Sequence, residues 1–301
     1  FETKSSYTAT VSASNGINTA TQAITVNVTD VNEAPAFTSN ATFSVAENQT
    51  AIGTVTATDV DGDTITYSIS GSDITINSSS GVIAFASAPD YETKTSYTAT
   101  ITASDGTNST IQDITVNITN VNDNSPAFTS SSTFSADENQ TAIGTVTATD
   151  VDGDGITYSI SSSDITINSS SGVIAFVSAP DYETKTSYTA TVTVSDGLNS
   201  TTQDITVNVS NINDIAPVIT SSATFSVVEG QSAIGTVTAT DAEGDDLTFT
   251  VSGSELAISS AGLLTFISAP DYETKSSYTA IVTASDGVNT SNQNITITVT
   301  F

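Results

Sequence analysis

The sequence predicts an all-β protein built from tandem Greek-key β-sandwich repeats of about 91 residues, arranged as an elongated rod. Three observations predict it. The stretch ENQTAIGTVTATDVDGD, Glu47 to Asp63, recurs letter for letter at Glu138 to Asp154, a spacing of 91. Apolar and polar residues alternate with period two between Gly, Asp and Asn turns that come about every ten residues. No stretch sustains a period of 3.6, so no helix is expected.

The repeat sets the domain organisation. A diverged third copy, EGQSAIGTVTATDAEGD, starts at Glu229, and SAPDYETKTSYTAT at Ser87 returns at Ser178 and, slightly altered, at Ser268. Three full repeats are expected at 32–122, 123–213 and 214–301, preceded by a partial one at 1–31. The lysines Lys4, Lys94, Lys185 and Lys275 hold one repeat position, which makes residues 1–31 the C-terminal part of a truncated repeat. That fragment lacks the front strands needed to close a core. The start at FETKSSY, in mid-pattern and without a visible signal peptide, reads as a window cut from a longer array.

Within the first full repeat, Ile65, Tyr67 and Ile69 alternate with Thr66 and Ser68. Tyr97, Ala99, Ile101 and Ala103 alternate with Thr98, Thr100 and Thr102, and Ile114, Val116 and Ile118 continue the pattern. The Thr, Val and Ile content of these runs suits half-buried strands, six or seven to a repeat.

Composition narrows function. The chain has no His, Cys, Met, Trp or Arg, which removes most general bases, thiol nucleophiles, and nitrogen and sulfur metal ligands. With 33 acidic residues against four lysines the net charge is −29, so nucleic acid and anionic membranes are disfavoured as partners. No run of eighteen apolar residues is present to cross a bilayer. The absence of cysteine says nothing about redox compartment.

The acids gather in five short motifs at turns and boundaries. In the first full repeat these are Glu47 in AEN, Asp59, Asp61 and Asp63 in DVDGD, Asp90 and Glu92 in DYE, Asp105 in ASDG, and Asn122 with Asp123 in NVNDNSP. Asp and Asn favour turns, which accounts for any one motif. Five motifs, each copied at the same repeat position, point instead to a hard cation held by oxygen ligands, and flexible carboxylates favour calcium over magnesium. An EF-hand is excluded, because the Gly of DVDGD falls at the fourth loop position and Ser70 stands where the bidentate Glu is needed.

These motifs, taken in order as xEx, DxD, DYE, ASDG and the NDNSP linker, make the chain resemble the cadherin repeat over its whole length, in its bacterial form more than its vertebrate one. The resemblance implies cadherin/Ig-like sandwiches with calcium, about three ions, at each inter-repeat junction. Carried over residue by residue, the junction near Asn122 uses Glu47, Asp90, Glu92, Asn122, Asp123, Asp150, Asp152 and Asp196. The junction near Asn213 uses Glu138, Asp181, Glu183, Asn213, Asp214, Asp241, Glu243 and Asp286, with Glu243 in place of the usual Asp. The junction near Asn32 has a linker one residue shorter and the set Glu2, Asn32, Glu33, Asp59, Asp61 and Asp105, so a weaker or differently built site is expected. Calcium would turn a self-repelling hinge into a stiff link.

Other features carry less. In DYETK the sole lysine of each repeat follows an acidic pair and is read as a local salt bridge, with an intermolecular contact as the alternative. Paired carboxylates such as Asp90 and Glu92 can serve glycoside hydrolysis, but three copies without a distinctive cleft argue against an enzyme. The expected function is an extracellular or cell-surface structural or adhesive array whose partners are calcium ions and other copies of itself or another cell-surface protein. The alternative is a carbohydrate-binding module array, or a spacer attached to a secreted polysaccharide-processing enzyme. The lack of Trp weakens its glycan-binding form.

Overall fold

The computed structural model describes all residues, Phe1–Phe301, as 29 strand segments without a helix. They form two compact units. One is Phe1–Asn124 together with Asp150–Asp154, and the other is Ser125–Thr149 together with Gly155–Phe301.

The first unit opens with a hairpin of β1 (Ser6–Ser14) and β2 (Thr19–Asn27). It then holds β3 (Ala36–Phe37), β4 (Thr42–Ala46), β5 (Ala51–Thr54), β6 (Ala57–Thr58), β7 (Thr66–Ile69), β8 (Ile74–Ile76), β9 (Val82–Phe85), β10 (Ser96–Ser104) and β11 (Ser109–Thr119). One sheet has the order β4-β11-β10-β7 and the facing one β5-β9-β8, with β3 paired to β6. β4 runs parallel to β11, and every other pairing is antiparallel.

Nine segments therefore stand where six or seven strands are expected. Two strands are split. The first pairs with β6 as β3 and, after Thr38–Ala41, crosses to the other sheet as β4. The second carries a register shift between Ala51 and Gly53 and breaks before β6. Gly81 closes that corner: its N–H and C=O are both bonded, to Asn77 and Val55, and a Cβ there would stand 2.1 Å from the Val55 carbonyl oxygen. Only glycine fits at φ +69°, and Gly172 and Gly262 repeat the arrangement.

Inward positions of the alternating runs make the core: Val45, Val55, Ile74, Ile83, Phe85, Ile101, Ile114, Val116 and Ile118. The second unit builds the same pair of sheets twice. Thr133–Asp137, Ser200–Ser210, Ser187–Ser195 and Thr157–Ser161 form the first four-stranded sheet, and Thr224–Val228, Thr290–Thr300, Ser277–Ser285 and Thr248–Val251 the second.

The opening hairpin differs in burial, not in backbone pairing. Val11, Ile24 and Val26 are 53%, 40% and 59% exposed, whereas Ile101, Ile114 and Val116, at the matching positions of β10 and β11, are at most 1% exposed. Nothing faces the hairpin as β5, β8 and β9 face β10 and β11. Accordingly Ile101→Ala destabilises its repeat by about 2–5 kcal/mol, while Val11→Ala changes stability by less than about 0.5 kcal/mol. Urea denaturation of the two variants checks this, and equal losses would contradict the burial difference.

Candidate metal centre

The clusters are built on irregular backbone between strands, held by side chains that accept main-chain N–H groups. Glu47 follows β4 and is 3% exposed. Its Oε2 accepts the Tyr91 N–H at 2.7 Å and its Oε1 the Val121 N–H at 2.8 Å, which ties the DYE turn and the linker to one carboxylate. Glu138, 2% exposed, does the same for Tyr182 and Ile212. The turn residue Asp90 accepts the Thr93 hydroxyl and N–H, and those bonds hold its carboxyl below the usual range.

Near Asn122 the linker lies against the Asp150–Asp154 loop within the first unit. Asp152 Oδ2 accepts the Asp123 and Asn124 N–H groups at 3.1 and 2.8 Å, and its Oδ1 the Asn124 side-chain amide at 2.9 Å. That amide also reaches Asp123 at 2.8 Å and Glu92 at 3.5 Å. Carboxylate oxygens of Glu92, Asp123 and Asp152 lie within 4.8 Å of one another, as do those of Glu47, Asp90 and Glu92. Glu47, Asp90, Glu92 and Asp123 line a cleft of about 340 Å³ with Asn48, Asn124 and Val151. Desolvation pushes the Glu92 carboxyl up, and the charges of Glu47 and Asp152 add to it. The Asn124 amide, with the two linker N–H groups, instead holds Asp152 down.

Near Asn32 the same frame has fewer parts. Asp61 Oδ2 accepts the Glu33 N–H at 2.8 Å, and the Asn32 amide donates to Asp105 at 2.9 Å. Asp59 Oδ1 accepts the Asp61 and Asp63 N–H groups. Glu2, Glu33 and Asp61 bring carboxylate oxygens within 4.8 Å. Glu33 is pushed up by desolvation and then by the charges of Asp61, Glu2 and Asp30.

Near Asn213, Glu243 takes the place of Asp152 by a different geometry. Its Oε1 accepts the Asp214 N–H at 2.8 Å and its Oε2 the Ile215 N–H at 3.1 Å, so each linker amide engages a separate oxygen. Asn213 donates to Asp245 and accepts from Asn289, both at 2.7 Å. Asp241 Oδ1 receives the Glu243 and Asp245 N–H groups, and Asp286 Oδ1 those of Val288 and Asn289. Glu138, Asp181 and Glu183 form the acidic group beneath. Desolvation raises Glu183, with the charges of Glu138, Glu243 and Asp181 adding to it.

Of the residues named from sequence, Asp196 lies in the second unit, where its Oδ1 accepts the Leu198 and Asn199 N–H groups. Five further participants emerge. Asn124 bridges three carboxylates; Asp245 binds Asn213; Asp30 shares a hydrogen bond with Glu2; Asn48 and Asn139 donate to Asp123 and Asp214. The lysine reading needs correction: Lys94, Lys185 and Lys275 pair with Asp73, Asp164 and Glu255. They do so because each lies over the ring three residues on, at Tyr97, Tyr188 or Tyr278.

The donor set fits a hard cation on this structure's own terms. Six buried carboxylate oxygens of the clusters have no hydrogen-bond partner: Asp59 Oδ2, Asp61 Oδ1, Glu92 Oε1, Asp150 Oδ2, Asp241 Oδ2 and Asp286 Oδ2. A buried anionic oxygen left unpaired is costly unless a cation meets it.

The cadherin domain model matches residues 41–119 and 132–210, more than half of the chain. The chain belongs to the cadherin family. A bacterial Ig domain model matches 213–300, where the sheets keep the strand order of the two preceding cadherin repeats. Mouse cadherin EGF LAG seven-pass G-type receptor 2 is 32% identical over 95% of this chain, which spans 11% of that receptor's length. Chitinase A of Pseudoalteromonas piscicida is 34% identical over 50% of the chain and 19% of that enzyme. Among solved structures, the protocadherin gammaB7 EC3-6 cis-dimer matches with a TM-score of 0.77 at 23% identity, covering all of this chain and 86% of that one. At that identity it speaks for the cadherin fold alone.

Proposed function

We propose that this chain is a calcium-binding repeat array of an extracellular structural or adhesive protein, in which calcium at the inter-repeat junctions stiffens a stalk or filament. Repeats are divided at 1–31, 32–122, 123–213 and 214–301. The observation that carries the reading is the set of unpaired buried carboxylate oxygens. Lys94, Lys185 and Lys275 pair with other acids and Lys4 lies over the Tyr7 ring, so no lysine is bonded to these oxygens.

Glu47, Asp90, Glu92, Asn122, Asp123, Asp150, Asp152 and Asp196 would hold calcium near Asn122, and Glu138, Asp181, Glu183, Asn213, Asp214, Asp241, Glu243 and Asp286 near Asn213. Glu2, Asn32, Glu33, Asp59, Asp61 and Asp105, with Asp30 added, would hold a smaller complement near Asn32. When bound, calcium supplies positive charge against repelling carboxylates. The protein's own part is orientation: Glu47 and Glu138 fix the linkers, and the turn N–H groups aim Asp59, Asp150 and Asp241. Other copies of the chain or another cell-surface protein are the partners this reading favours. No helix is long and apolar enough to cross a membrane.

The chitinase A match favours a second reading, a spacer within a secreted polysaccharide-processing enzyme. Direct glycan binding has weaker support, because Phe85, Phe176 and Phe266 are buried against Tyr97, Tyr188 and Tyr278 instead of forming an exposed platform. Both readings of the chain are non-catalytic. Isothermal titration calorimetry tests the calcium assignment: half-saturation is expected at about 10⁻⁴ to 10⁻³ M. A flat isotherm at millimolar calcium would remove it.

A further inference from the structure

Asn48 and Asn139 are the only residues other than glycine with positive φ, +63° and +62°. The backbone there must turn left-handed just after the buried Glu47 or Glu138, so that its N–H can meet Pro89 O or Pro180 O at 3.0 Å. Glycine meets that demand equally: Gly230 holds the matching position with φ +76° and donates to Pro270 O at 2.9 Å. Backbone need alone therefore does not call for asparagine. What asparagine adds is a side-chain amide, and in both copies it donates to the Oδ2 of the linker aspartate, Asp123 or Asp214, 75 residues along the chain.

We propose that Asn48 and Asn139 are positioning residues that hold the linker carboxylates Asp123 and Asp214 in place for the cation, an inference that rests on calcium binding at these junctions. The chemistry suits the task. A carboxamide N–H orients a carboxylate without cancelling its charge. A lysine there would compete with the cation, and an aspartate would add repulsion to the crowded set of Glu92, Asp123 and Asp152. With the Asn48 amide on Oδ2 and the Asn124 amide on Oδ1, Asp123 is fixed from two sides.

The test is a calcium titration of the full 301-residue chain against the double variant Asn48→Gly/Asn139→Gly, by calorimetry, with melting in excess EGTA as the control. Glycine keeps the backbone turn, so the EGTA melting temperature is expected to match wild type while the calcium midpoint rises by about ten-fold. A second variant, Asn48→Asp, keeps the size but not the donor, and its midpoint also rises. Wild type binding calcium with an unchanged midpoint in the glycine variant would overturn the positioning role alone. Tighter binding by Asn48→Asp would overturn it too, because the side-chain oxygen would then be acting as a ligand. A wild-type chain that binds no calcium would overturn both this inference and the reading beneath it.

Discussion

Transfer from millimolar calcium into excess EGTA is expected to lower the melting temperature of this protein by about 6 to 11 °C for each ion that leaves a repeat. The figure follows from linkage. At ten times the dissociation constant a single bound ion adds about 1.4 kcal/mol to the folded state, and a domain of roughly 90 residues gains about 4 to 8 °C per kcal/mol. The cause lies in carboxylates that the fold gathers but does not neutralise: Glu92 and Glu183 are already pushed up by desolvation and by their acidic neighbours. In EGTA that repulsion falls on the linkers, whose N–H groups hang from Glu47 and Asp152 or from Glu138 and Glu243. Differential scanning calorimetry with and without calcium measures the shift. An unchanged melting temperature would sink the calcium assignment.

The fold was legible because the sheets obey a local rule. Ile114, Val116 and Ile118 alternate with polar residues, and the structure buries all three. The splitting of the first two strands was not legible. It depends on the crossing from β6 to β11 and on Gly81 packing against Val55, contacts between segments far apart in sequence. Likewise, Val11 and Ile101 are nearly equivalent letters in equivalent patterns, and only the presence of a facing sheet separates them.

For the candidate site, recurrence marked the acids but missed their neutral supports. Asn48 is repeated letter for letter at Asn139, but its uncharged carboxamide does not stand out beside Glu47 in a search for clustered acids. Asn124 is replaced by Ile215 at the next junction, so recurrence could not find it. The lysines failed for a geometric reason: sequence proximity to Asp90 and Glu92 suggested a bridge, but the Tyr97 ring draws Lys94 to Asp73 instead. Glu243, one methylene longer than Asp152, spends both oxygens on linker amides, where Asp152 spends one and keeps the other for Asn124.

That economy makes Asp152 the residue whose loss is expected to bend the molecule without unfolding it. Asp152→Ala removes the acceptor for the Asp123 and Asn124 N–H groups and one of the two carboxylates grouped with Glu92. It opens no apolar cavity, since Asp152 belongs to none of the hydrophobic core clusters. The damage is therefore confined to the linker, as local opening and not global loss. Small-angle scattering in millimolar calcium is expected to give a shorter maximum dimension than wild type, with unchanged β-sheet circular dichroism. Asp152→Asn separates the two roles of the side chain, because one oxygen survives to accept the linker amides while the charge is gone. If charge toward calcium is what stiffens the linker, the asparagine variant bends as the alanine variant does, and in EGTA wild type and both variants converge. Equal dimensions for all three in calcium would mean that hydrogen bonds or packing hold the linker, and the stiffening would lose its stated cause.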